Sequence, residues 1–175
     1  MTEAEWLACD NPDRMLQHLG TRVSARKLRL FACACGRRLW DVLPDNATRR
    51  AVEVLENCAD GLGTFQDLQM AVASAETAER RTQGRERAAA RAVGAAWSTV
   101  EHACSAAAQA SPAPAAERVY QAYLLREVVG NPFRLVPIEM TWLSWNAGCV
   151  EKLARAIHDQ GRFVDLPILA DALEE

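Results

Sequence analysis

Apolar positions recur at helical spacing from one end of this chain to the other, and no strand pattern of convincing length interrupts them. Thr2 followed by Glu5 is a capping-box pattern, and Trp6 and Leu7 give a short first helix its apolar side. Asn11 and Pro12 open a second helix, in which Met15, Leu16 and Leu19 face inward and which Gly20 stops. Ser24 begins a third, predicted to run to Leu43 just before Pro44, with Leu28, Phe31, Ala32, Cys35, Leu39 and Val42 in register. Asp45 or Asn46 caps a fourth, carrying Ala51, Val52, Leu55, Cys58 and Ala59 and closing at Asp60-Gly61.

From Thr64 to Ala110 there is no proline and little turn chemistry. Thr64 is a good N-cap and Asp67 suits a first turn. The apolar positions there are Phe65, Leu68, Met70 and Val72 at the start, and Val93, Trp97, Val100 and Cys104 at the end. Between them, residues 75–92 are almost entirely Ala, Glu and Arg. One helix of about 45 residues would be ~68 Å long, too long for a compact domain. The chain is therefore expected to break near Thr82–Gly84 and fold back as a helical hairpin.

Ser111-Pro112-Ala113-Pro114 is a clear break. The next helix is read as burying Val119, Tyr120, Tyr123, Leu124 and Val128, and Gly130 ends it. Asn131-Pro132-Phe133-Arg134 reads as a turn fixed by the Asn131 side chain, with Arg134 tied to a carboxylate. A few extended residues are expected up to Pro137. Met140–Trp145 is read as tucked against the core, with Phe133, Trp142 and Trp145 as one aromatic cluster, more a closure of the core than a ligand pocket. Cys149, Val150, Leu153, Ala154 and Ile157 belong to a further amphipathic helix ending near Gly161. Asp165 and Pro167 introduce a last short helix, Ile168 to Glu174.

Composition sharpens this picture at one point: 32 of the 175 residues are alanine, and 18 of those lie between Ala71 and Ala116. Alanine favours helix but buries little area per residue. The body is thus expected to be well specified and the middle lightly packed. The expected architecture is all-α, a compact bundle of about seven to nine helices in a single domain over 1–175. Residues 64–110 form an alanine-rich helical hairpin or arm. The core is assigned to the N-terminal four and C-terminal three helices.

Net charge is -3 and the pI about 5.7, so no overall attraction to nucleic acid or anionic lipid follows. No apolar run approaches the ~18 residues of a membrane span, and the acidic Met1–Trp6 start has no secretory pattern. The expected compartment is the cytoplasm, with the six cysteines reduced and mostly buried.

Locally the charge is different. Arg22, Arg26, Lys27, Arg29, Arg37, Arg38, Arg49 and Arg50 lie within 29 residues that hold two acids, Asp41 and Asp45, an excess of six positive charges. These are the candidate partner-binding residues. They can bind a protein partner, contact phosphates, or pair with acids of the same chain such as Asp165, Asp171, Glu174 and Glu175. Cys33-Ala34-Cys35 is the most metal-like feature, but residues two apart on a helix point about 200° apart and no second pair exists. The same geometry separates His102 from Cys104. Whether His18, Cys58 or His158 meets a catalytic partner in space is left to the fold, and no phosphate loop, zincin helix or nucleophile elbow is present. No catalytic residue, metal or cofactor is expected.

Five segments, MTEAEWLACDNPDRMLQHL, RKLRLFACACGRRLW, RRAVEVLENCADGL, LLREVVGNPFR and LARAIHDQGRFVDLPILADALEE, taken in this order, resemble a large paralogous family of uncharacterised planctomycete proteins. The resemblance covers most of residues 1–62 and 123–175. It implies relatives with a variable alanine-rich middle and no assigned activity. Gly36 stands where many relatives have a second cysteine, and the alanine-rich middle is short. The sequence reaches Glu175 where relatives continue into a glycine- and histidine-containing tail, so the chain lacks that tail or is a piece of a longer one. The expected function is a bacterial, cytoplasmic, non-catalytic protein-interaction or scaffold module, with no membrane contact. Nucleic-acid binding through residues 22–50 and an enzyme of unrecognised class are the alternatives.

Overall fold

The computed structural model describes residues 1–134 and 140–174, apart from the side chain of residue 174. The extended residues expected before Pro137 lie outside them. The described residues hold eleven α-helices and no strand. They divide into two compact units, residues 1–133 and 134–175.

The first unit contains α1 (Glu3–Ala8), α2 (Pro12–Leu19), α3 (Ala25–Arg37), α4 (Asn46–Ala59), α5 (Phe65–Arg81), α6 (Gly84–Ala95), α7 (Val100–Ala110) and α8 (Pro114–Val129). Their starts follow local chemistry. Thr2 Oγ1 accepts the Glu5 N–H while Glu5 returns a carboxylate to the Thr2 N–H, and Thr64 and Asp67 repeat the exchange. Asn11, Ser24 and Asp45 cap α2, α3 and α4 through their side chains. The chain turns at Thr82–Gly84 as expected, with Gly84 at a φ of +56°.

Two boundaries differ from the pattern. α3 stops at Arg37 rather than Leu43. Beyond it, Leu39, Trp40 and Val42 donate to carbonyls three residues back, a tighter winding that points both Leu39 and Leu43 into the core. Residues 64–110 form three helices, not two. The second break, at residues 96–99, carries neither glycine nor proline, and Thr99 stands at the N-cap of α7 without a side-chain cap hydrogen bond. Trp97 sits there under the Arg29 guanidinium, 3.9 Å from the ring centre.

α3 is the axis of this unit and touches α4, α6, α7 and α8. Each helix from α4 to α7 packs on the next, and α8 closes against α2, α3 and α7. Trp6, Met15, Leu19, Phe31, Val52, Leu55 and Leu125 supply the large core side chains. The rest of the interior is small. Half of the buried apolar residues, 17 of 34, are alanine, including six from α7 and its neighbour α6 that are 1% exposed or less. The alanine-rich middle is therefore core and not an arm upon it. Helices with methyl-sized side chains approach closely, and a Cβ added at Gly94 of α6 would stand 3.6 Å from the Ala75 Cβ of α5.

Close approach reverses two expected faces. α5 buries Leu68, Ala71, Ala75 and Ala78 and turns Phe65 and Met70 outward, 73% and 55% exposed. α8 buries Glu117, Gln121, Ala122 and Leu125, while Val119, Tyr120 and Tyr123 are 49%, 41% and 50% exposed. Leu7 is likewise outside, next to a fully buried Trp6.

The Asn131 turn forms as read. Its Oδ1 accepts the Phe133 N–H at 2.9 Å and its Nδ2 donates to Glu3 at 2.8 Å. Phe133, expected among tryptophans, instead stacks on His18, with ring centres 5.3 Å apart and planes 11° from parallel. The turn sets that position, because it hands the chain back to α1 and α2. Burial, with help from the Arg22 guanidinium, holds His18 below the usual imidazole value of 6.5.

The second unit comprises α9 (Met140–Ser144), a 3₁₀ turn at Trp145–Ala147, α10 (Cys149–Gln160), a 3₁₀ turn at Phe163–Asp165, and α11 (Leu166–Glu174). α10 packs with α9 and α11, and Gly148 and Gly161 bound it in left-handed conformations. Its buried apolar residues are Val150 and Ile157. Met140 and Trp145 are exposed and Trp142 is half-buried, so this stretch is less enclosed than its apolar composition suggests.

Space around α3 and the alanine helices decides substitutions there. A Cβ on Gly36 would meet Val52 and Val93 at ordinary contact, 3.7 Å, beside a gap too small for water. Gly36→Ala is expected to stabilise the protein by about 1 kcal/mol through helix preference and one buried methyl. Ala89→Leu, at a fully buried site, is expected to destabilise it by roughly 1–3 kcal/mol through overpacking. Urea denaturation of both variants measures the contrast. The lowered His18 value gives a sign for pH as well. Below pH 6.5 the unfolded chain gains the proton before the folded one, so stability present above that pH is lost on acidification. The melting temperature should fall from pH 7 to pH 5, and fall less steeply in His18→Gln.

Candidate partner-binding surface

The eight cations of residues 22–50 lie on α3, α4 and the turns around them, and seven are engaged within the first unit. Arg22 donates to the His18 carbonyl at the end of α2, and Lys27 to the Val129 carbonyl at the end of α8, at 3.1 Å. Both satisfy helix C-terminal acceptors and complement the helix dipole. Arg26 pairs with Asp60 at 2.6 Å, and Arg37 grips Glu56 with two bonds of 2.8 and 2.6 Å. Arg29 covers Trp97. Arg49 reaches the Trp40 and Leu43 carbonyls, holding the tight turns between α3 and α4. Arg50 makes no hydrogen bond, ion pair or ring contact among the described residues. The acids that meet this segment are Asp60, Glu56 and Glu117. Of those named from the sequence, Asp165 pairs with Arg162 in its own unit, and residue 175 and the side chain of residue 174 lie outside the description.

The seventh engaged cation, Arg38, belongs to a polar cluster where α3, α7 and α8 meet. Its guanidinium binds both oxygens of Glu117 at 3.0 Å and lies 3.5 Å from the centre of the Tyr120 ring. Glu117 is only 6% exposed. One turn on, Gln121 is fully buried and donates to the Cys104 carbonyl at 3.0 Å, while its Oε1 accepts nothing. Glu117 and Gln121 were not singled out by the sequence, since isolated polar residues on a helix normally face water. Their four-residue spacing with Leu125 is the signal that marks a common face.

Cys35 and Cys104 lie in the same joint as free thiols, both fully buried. The neighbouring Cys104 thiol and burial raise Cys35 well above the ordinary thiol range. Burial, then the Glu56 charge, pushes Cys33 up to about 12. Protonated thiols are poor ligands and nucleophiles. Among the described residues no three His, Cys, Asp or Glu side chains converge in a way that holds a metal ion. His102 is exposed where Cys104 is buried, His18 lies against Trp6 and Phe133, and Cys58 sits over the Thr64 carbonyl. His158 is exposed beside Asp159.

Of the basic segment, Arg49 and Arg50 line a hollow on α4 with Trp40 and Glu53. Further concavity lies along both flanks of α5. Between α4 and α5 runs a groove of about 300 Å³ lined by Ala47, Arg50, Ala51, Val54, Met70 and Ser74. It adjoins a second hollow that shares Ala47, Met70 and Ser74 and reaches Thr77 and Arg81. On the other flank a mainly apolar groove of about 510 Å³ is lined by Phe65, Leu68, Val72, Gly94 and Trp97. Phe65, Met70, Val72 and Trp97, apolar positions of the hydrophobic pattern, are walls of these surface features.

Removing one half of the Arg38–Glu117 pair leaves a part-buried charge with only an aromatic face beside it. Glu117→Ala is expected to cost about 2–3 kcal/mol in urea denaturation, discounted for the exposure of Arg38. The double variant Arg38→Met/Glu117→Leu should recover most of that loss.

Among the described residues no helix is long and apolar enough to cross a membrane. Comparison of the chain with protein-family models, with curated proteins and with solved structures finds no match.

Proposed function

We propose that this protein is a non-catalytic protein-interaction module of the bacterial cytoplasm. The observation that carries this reading is the placement of its large apolar side chains. Leu62, Phe65 and Met70 on and before α5, and Val119, Tyr120 and Tyr123 on α8, stand 41–79% exposed over an interior largely of alanine. Grouped exposed apolar side chains mark association surfaces, and tyrosine adds contact area at small entropic cost. The grooves beside α5 add concavity around Phe65 and Met70. The resemblance of residues 1–62 and 123–175 to planctomycete paralogues with a variable middle fits a common scaffold carrying different contacts.

Nucleic-acid binding through residues 22–50 is the second reading, and Arg50, which has no intramolecular partner among the described residues, is what favours it. The engagement of the other seven cations supports a protein partner over a phosphate backbone. Because phosphate contacts release counterions, binding to a DNA duplex should weaken steeply with salt if this second reading holds.

Phe65→Ser and Tyr123→Ser change side chains that contribute little to the core. Both variants should keep the melting temperature within about 2 °C and lose partners that the unaltered chain captures in cross-linking pull-downs. Identical captured sets from all three proteins, at equal stability, count against the reading.

A further inference from the structure

The two flanks of α5 differ in charge, and the difference identifies one class of partner. The α4–α5 groove has a shallow floor of alanine, from Ala47 and Ala51 on one side to Ala71 and Ala78 on the other, with Met70 standing 55% exposed above it. A floor of methyl groups lets another backbone come close, and an exposed methionine adapts to what is laid against it. Its lining follows α5 from Asp67 to Arg81, fourteen residues on, or about 21 Å of helix. That is the length of a docked helix and far longer than a small metabolite.

The charged groups along it are unequally engaged. Asp45 accepts the Thr48 N–H and hydroxyl, each at 2.7 Å, as the cap of α4. Asp67 accepts the Thr64 N–H and hydroxyl as part of the capping box of α5. Both carboxylates thus lie at helix N-termini, where the backbone dipoles offset their charge. Arg50 and Arg81 have no hydrogen bond, ion pair or ring contact among the described residues, although Arg81 is near enough to Asp45 to favour its ionised form. Two available guanidiniums therefore border an apolar strip whose acids are already occupied.

We propose that this groove binds an amphipathic helix of a partner protein that carries carboxylates on both sides of a narrow strip of small apolar residues. The strip lies on the alanine floor against Met70, and the carboxylates reach Arg50 and Arg81. This rests on the reading of the protein as an interaction module and names the partner's chemistry at one of its surfaces. The α5–α6 groove, with Phe65, Val72 and Trp97, has no comparable pair of cations in its lining.

The test uses the full chain and a displayed library of randomised helical peptides of about 16 residues. Peptides enriched on the unaltered protein should be rich in Glu and Asp. Synthesised with a fluorescent label, they should bind at least tenfold more weakly to Arg50→Glu/Arg81→Glu in anisotropy titrations, and more weakly again in 0.5 M salt. Both arginines are exposed, and a thermal melt confirms that the double variant stays folded. Three outcomes overturn the proposal: enriched peptides without an acidic bias, binding unchanged by the double variant, or no enrichment at all. Binders that ignore the arginines but are lost in Phe65→Ser overturn this site and leave the interaction-module reading standing. A 20-base-pair duplex that binds through the same two arginines, while no acidic peptide does, overturns both.

Discussion

The packing of the first unit follows from an interior in which alanine methyl groups fill much of the space between helices. Ala75, Ala89, Ala90, Ala103, Ala107 and Ala110 are all fully buried, and each removes about one methyl from water, roughly a third of what a leucine contributes. Such an interior is stable only if the helices come close enough for backbone and methyl to fill the space between them. α3 meets that demand at its centre with Ala32, Cys33, Cys35 and Gly36, small enough for α4, α6, α7 and α8 to crowd around one helix.

Because each buried alanine contributes little, the helix ends matter more than in a leucine-rich bundle. Long cationic side chains close several of them. Arg22, Lys27, Arg85 and Arg126 donate to the carbonyls of His18, Val129, Ala110 and Cys9, at the ends of α2, α8, α7 and α1. The basic segment that stands out in the sequence is, for the most part, a set of such closures together with pairs to Asp60, Glu56 and Glu117. Its engagement in the fold is also what makes Arg50 conspicuous.

The same constraint explains the surface. A space sized for alanine has no room for Phe65, Met70, Tyr120 or Tyr123, so these point outward, and Phe65 and Met70 line grooves instead of filling the core. α8 carries the effect furthest. It turns Glu117 and Gln121 inward because α3 supplies Arg38 to neutralise the first and α7 supplies the Cys104 carbonyl for the second. The exposed aromatic surface and the alanine core are two sides of one packing arrangement.

Local chemistry was legible in the sequence. The caps at Thr2, Asn11, Ser24, Asp45 and Thr64, the turn at Thr82–Gly84, the Asn131 turn and the all-α class each depend on residues within a few positions of one another. The cysteine pair at 33 and 35 was also readable, since helical geometry alone separates its members. What the sequence could not determine is which face of a helix goes inside when one face is large and the other small. Hydrophobicity ranks Phe65 above Ala75 and Tyr123 above Gln121. The order reverses only when the neighbouring helix is near enough to exclude the larger side chain, or brings the partner a buried polar group requires. The break at residues 96–99 is of the same kind, set by packing around Trp97 and Arg29. Sequence thus determined where most helices begin and end. The pattern also named the buried faces of α2, α3 and α4, with Met15, Phe31 and Leu55 among them, whereas tertiary structure decided the faces of α5 and α8, because burial there depends on the distance between helices, and that distance belongs to the pair.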